Sequence, residues 1–215
     1  MAAGADLTRV SFLTIRDTVG ERGIALPDDV EELADAIRRA HARIVVIDPV
    51  MAHLATGLDS HRDHAIRRAL APLARVADQL DVAMVGVAHL NKGVSTDLFG
   101  RVGGSIGLTA AARSVLVMGS DPDAGEDSRE RVVAHGKSNL SAQAPALRLR
   151  VESRSVDGPE GPIETAGIAW IGEAPNVHIA CSALLLTPAR RHRRGERPRR
   201  SYWTCSGMAA CRLLM

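Results

Sequence analysis

The sequence predicts an α/β architecture: a parallel sheet flanked by helices, with antiparallel strands appended. Two wholly apolar runs, residues 44–47 and 82–88, are separated by a helix-length segment with a single apolar stripe. An amphipathic helical segment precedes the first run. After residue 118 the pattern changes to short runs between turn clusters. Strand, helix and strand at this spacing form the βαβ unit, whose crossover is right-handed.

Taken in order, residues 10–15 (Val-Ser-Phe-Leu-Thr-Ile) are β-prone and predict a first strand. After the turn region 20–23, Asp28 or Asp29 can cap a helix to about His41. Its apolar positions Val30, Leu33, Ala34 and Ile37 recur at helical spacing. Residues 44–47 are a continuous apolar strand, of the kind buried on both faces of a parallel sheet. Ser60 then caps a longer helix with a stripe of Ile66, Leu70, Leu73, Val76, Ala77 and Leu80, and residues 82–88 form the next strand. A loop carrying Gly100, Gly103, Gly104 and Gly107 leads into a short helix through 110–113 and a strand over 114–118. Residues 131–134, 147–151 and 163–171 read as antiparallel strands between turns such as Asp121-Pro122-Asp123 and Asp157-Gly158-Pro159. No internal repeat is visible.

A chain of 215 residues can bury one core, and 46% apolar with 24% charged content is ordinary for a globular protein. No apolar run reaches the ~18 residues of a spanning helix. Met1 to Asp6 lack the basic-then-apolar order of a leader, so the expected location is cytoplasmic, without membrane association. Cys181, Cys205 and Cys211 make no CxxC pair, which argues against a zinc site or a disulfide framework. Lys92 and Lys137 are the sole lysines; the arginine and alanine excess reflects a GC-rich gene rather than a function.

Charge divides the chain in two. The net +2 combines 19 basic against 24 acidic residues up to residue 188 with eight arginines against one glutamate beyond it. We therefore expect one domain over 1–175 and an arginine-rich, disordered tail over 176–215. A basic tail can bind nucleic acid, including single-stranded DNA. The composition fits an unselected segment, such as out-of-frame translation of a GC-rich gene, better.

Chemistry concentrates at the ends of the two apolar strands. Asp48 follows Ile47 and precedes Pro49, the position from which a carboxylate reaches a magnesium ion on nucleotide phosphates. His89, followed by Asn91 and Lys92, ends the next strand, and in a parallel sheet the two tips line one ligand crevice. Gly136-Lys137-Ser138 imitates the end of a phosphate-binding GxxxxGK[ST] loop, yet Arg131 stands at its first glycine and strand-like Val132 and Val133 lie within it. His53, Asp59, His61, Asp63 and His64 are a weaker metal constellation that equally suits a solvated helix start.

Several motifs occur in one order: Asp48-Pro49 with 51–54, the 59–63 helix start, residues 89–92, Gly103-Gly104-Ser105 with Ala112-Arg113, and Lys137-Ser138-Asn139-Leu140. This set resembles the RecA-like AAA-family ATPases related to the RepA plasmid replicative helicase, over roughly residues 5–175. The resemblance implies a partial RecA-like P-loop NTPase core that assembles into rings and binds ATP with Mg2+ between subunits. It makes Asp48 the Walker B magnesium aspartate and His89 the γ-phosphate sensor. Arg113 and Lys137 become charges that reach a neighbour's nucleotide, with Asn139 standing where related helicases carry an arginine. Residues 93–104 correspond to the loop facing single-stranded DNA.

The family's Walker A loop and catalytic glutamate have no counterpart in these residues. The expectation is a truncated ATPase domain, inactive alone. The alternatives are a non-enzymatic subunit of a ring of full-length relatives, or a basic-tailed nucleic-acid binder.

Overall fold

The computed structural model describes residues 4–55, 63–90, 106–125, 127–158, 160–175, 177–180, 183–186 and 212–214. The chain begins with a 3-10 turn, Leu7–Arg9, and a two-residue hairpin of β1 (Ile15–Arg16) and β2 (Glu21–Arg22). Of the strand expected over 10–15 only Ile15 is paired, in β1; residues 10–14 join no strand, and Phe12 is 92% exposed.

α1 (Val30–Ala40) buries the four residues its periodicity nominates: Val30, Leu33, Ala34 and Ile37. Asp29 stands at the N-cap position, but its carboxylate turns backward. It accepts from the Ala25 amide at 2.6 Å and from both terminal nitrogens of Arg22, at 2.5 and 2.9 Å. Hydrogen bonds from Arg22 and then from the Ala25 amide hold that carboxyl below the usual carboxylate range, against the opposing effect of burial.

β3 (Ile44–Ile47) and β4 (Ala83–His89) pair in parallel, joined by a 3-10 turn (Val50–His53) and α2 (Asp63–Gln79). This is the expected βαβ unit. α2 buries Ile66, Ala69, Leu73 and Val76, while the expected cap Ser60 lies outside the described residues. β3 departs from expectation. Ile44 and Val46 are 64% and 61% exposed, so only one face of this edge strand is covered. Leu26, fully buried, ties the segment before α1 to the turn after β3, donating to the His53 carbonyl and accepting from the Ala55 amide.

α3 (Ile106–Ala111) leads into β5 (Ser114–Ser120), β6 (Glu130–Ser138), β7 (Leu147–Gly158) and β8 (Gly161–Glu173), an antiparallel run as expected. Three further strands fall within 176–215: β9 (Val177–Ala180) pairs with β10 (Ala183–Leu186), and β11 (Arg212–Leu214) joins the main sheet. The seven-stranded order is β3-β4-β11-β5-β6-β7-β8. β11 runs antiparallel to both β4 and β5, so β3, β4 and β5 all point the same way.

The outer half is fastened by ion pairs. Asp121 has a side chain 1% exposed and accepts from Arg148 Nε and from the Asp123 amide. The Asp121 carboxylate raises the Arg148 guanidinium above its usual value. A buried carboxylate persists only when paired in this way.

Candidate functional site

Register assigns the expected site residues to two parts of the sheet, β3–β4 and β5–β6. Ile47 pairs with Gly86, so Asp48 emerges beside Val87 at the C-terminal edge of the parallel pair. His89 ends β4 two residues further on, roughly 7 Å along the strand. Both side chains are exposed, and neither makes a hydrogen bond to a described residue. A short apolar strand thus carries an unengaged carboxylate to its tip, beside an unengaged imidazole.

The second group lies at β5–β6. Arg113 directly precedes β5, Lys137 pairs with Val115, and the Asn139 amide donates to the Arg113 carbonyl at 2.9 Å. Along β5, Met118 is level with His89 through Arg212. Asp48, beside Val87, is level with Leu116, three residues after Arg113, so roughly 10 Å along the strand and about 14 Å across three strand spacings separate the two positions.

Lys137 has a partner that sequence alone does not reveal. Its ammonium donates to the carbonyls of Thr109, Ala110 and Ala112 at 3.0, 3.2 and 2.7 Å, the open carbonyls at the end of α3. Three donors meet three acceptors, with the cation at the negative end of the helix. Gly136, one residue before, is the extra residue of a β-bulge, since Val115 pairs with Lys137 and Leu116 with His135. This accounts for the Gly-Lys-Ser imitation: it is bulged strand, with no helix N-terminus behind it. Arg113, by contrast, is exposed and has no ion pair among the described residues.

His135 is a residue that motif reading missed. Its Nδ1 accepts from the Ala144 amide at 3.1 Å, which fixes the Nε2–H tautomer, and Nε2 then donates to Ser114 Oγ at 3.0 Å. It fastens the 139–146 segment to the start of β5 next to Arg113. A cavity of about 820 Å³ opens nearby, lined by Leu70, Leu73 and Ala77 of α2, Met84 of β4, Leu108 of α3, and Arg113.

Among the described residues no group of three or more His, Cys, Asp or Glu side chains could hold an ion. His53 Nδ1 donates to the Ile24 carbonyl at 3.0 Å, and Asp63 accepts from the Gly107 amide at 3.0 Å, so both serve local structure. Asp59, His61, Asn91, Lys92, the glycine-rich loop 93–104 and all three cysteines lie outside the described residues.

Residues 1–95 match the family model of the AAA domain. The matched segment, under half of the chain, contains Asp48 and His89; AAA domains are of the P-loop ATPase type and generally bind nucleotide with Mg2+. The AAA match ends before Arg113, Lys137 and Asn139. The mixed α/β sheet, parallel at β3–β4 and antiparallel beyond, is compatible with part of such a domain. No curated protein and no solved structure matches the chain significantly.

An exposed carboxylate at a strand tip fits water-mediated Mg2+ ligation, which takes one or two carboxylates plus phosphate oxygens. The triphosphate itself needs clustered backbone amides, and the described residues at the Asp48 edge present no such cradle ahead of a helix. Among the described residues no helix is long and apolar enough to cross a membrane.

Proposed function

We propose that this chain is the ATPase-domain portion of a RepA-like, hexameric-helicase type of AAA protein that does not turn over ATP alone. The observation that carries the reading is the separation of the two groups. On this reading Asp48 and His89 meet a nucleotide's magnesium and its γ-phosphate, while Arg113 lies roughly 10 Å along the strand from the level of Asp48 and three strands across the sheet. A head-to-tail ring brings one subunit's first group against the next subunit's second group, which is the heterologous contact that closes by rotation.

In that arrangement each residue has a distinct task. Asp48 would hold Mg2+ through its carboxylate, and the ion would supply charge neutralisation at the phosphates. His89 hydrogen-bonds the terminal phosphate. Arg113 supplies the trans cation, and Lys137 positions it by clamping the end of α3. Asn139 keeps Arg113 in place through its backbone. The 215 residues contain no GxxxxGK[ST] loop.

Mixing the chain with a full-length RepA-like ATPase tests the ring reading. We expect mixed rings with ATPase activity reduced at least severalfold, and relief of that inhibition by Arg113→Ala. Failure to co-purify, with the relative's activity unchanged at tenfold excess of chain, would overturn it.

A further inference from the structure

β4 and β5 do not pair with each other; β11 lies between them and hydrogen-bonds to both. Its three residues pair with Val87–His89 on one side and Leu116–Met118 on the other: Arg212 opposite His89 and Met118, Leu213 opposite Ala88 and Val117, Leu214 opposite Val87 and Leu116. The sheet is therefore continuous from the AAA-matched half to the antiparallel half through three residues at the far end of the sequence. β4 and β5 each have seven residues and use three on this side. The gap is a two-sided strand slot that its occupant fills in part.

We propose that this slot is a strand-acceptor site, and that the C-terminal segment of this same chain is its donated, separable strand. Two features of the backbone carry the proposal. An internal slot offers two rows of amides and carbonyls, so an extended segment gains main-chain hydrogen bonds on both edges regardless of side chain, as in β-augmentation. Three pairs per side is a short ladder, which places the strand among the elements that open before the rest of the fold.

The site is independent of the ATPase reading, since it rests on backbone pairing alone. It also adjoins that site: β11 runs antiparallel to β4, so its first residue lies level with His89. Occupancy of the slot consequently fixes the backbone that carries the His89 side chain.

The test uses the full-length chain. In native-state hydrogen exchange, the amides of 212–214 and those of 87–89 and 116–118 that face β11 are expected to exchange at least tenfold faster than those of the β7–β8 hairpin, in one cooperative opening. A fluorescent peptide of residues 206–215 is then added. Weak, saturable binding to the wild-type chain is expected, and at least tenfold tighter binding to a Leu213→Pro chain, whose own strand loses a ladder donor and is disfavoured in a sheet interior. The same peptide carrying Leu213→Pro is expected not to bind. A concentration-dependent dimer abolished by Leu213→Pro would support the same slot, filled in trans. The proposal is overturned if 212–214 exchange only with global unfolding, or if both peptides bind alike. Absence of peptide binding to a Leu213→Pro chain that keeps its native circular dichroism would also overturn it. Should that variant aggregate, the wild-type exchange pattern decides alone.

Discussion

The two halves of the sheet are stabilised in different ways, and the half with the chemistry is the less enclosed. β5 to β8 are fastened by long antiparallel ladders, twelve register pairs between β7 and β8, and by the buried Asp121–Arg148 pair. The β3–α2–β4 half has four parallel pairs, an edge strand with two exposed apolar residues, and an Asp48 that contacts no described side chain through a hydrogen bond. A closed ladder stabilises a fold, whereas an unengaged carboxylate at a strand tip contributes nothing to it. Asp48 is exposed and unengaged, and the exposed face of β3 is surface that a covering element would bury.

The sharpest way to break that contrast is Asp121→Ala. It leaves the Arg148 guanidinium without its buried partner, and the expected loss is about 3 kcal/mol of unfolding free energy by denaturant titration. Lys137→Ala comes next. Stripping three helix-end carbonyls of their donor is expected to cost about 1–2 kcal/mol and to loosen residues 106–113 in hydrogen exchange, whereas a free finger residue would leave stability unchanged.

The Asp29–Arg22 contact gives a smaller, pH-dependent effect. The Asp29 carboxyl is held below its ordinary value in the folded chain, first by Arg22. Its contribution is therefore fully present above the unfolded carboxylate pKa, near ~4, and is lost as pH falls through the folded value. Urea unfolding of wild type and Asp29→Asn should differ by about 1 kcal/mol at pH 7 and converge toward pH 2. At the bottom of the scale, Asp48→Ala should change stability by less than about 0.5 kcal/mol, because nothing described depends on it. A loss of several times that amount would show the carboxylate to be structural.

Legibility in the sequence follows the same division. The α1 and α2 stripes, the two apolar strands and the antiparallel run were readable because burial on one face imposes a period. Residues 10–15 misled because β-propensity describes a fit to a neighbouring strand, and there is none beside Phe12. Burial of β3 on both faces was inferred from its apolar run, but burial depends on what covers a strand, which its own four residues do not encode. The Asp48 and His89 tips were legible from strand ends alone. The Lys137 clamp, the His135 bridge and the seat of β11 were not, since each joins groups far apart in sequence. Asp121 did sit in a visible Asp-Pro-Asp turn, and an arginine at alternate positions of β7 (Arg148, Arg150) is the signal that could have paired it.

The central claim is that one copy holds only half of a nucleotide site. Titrating the purified chain with a fluorescent ATP analogue and Mg2+, beside Asp48→Ala, tests it most directly. The account predicts no saturable binding below the millimolar range for either protein. Micromolar, Mg2+-dependent binding that Asp48→Ala abolishes would contradict it, by showing that a complete site exists within this single chain.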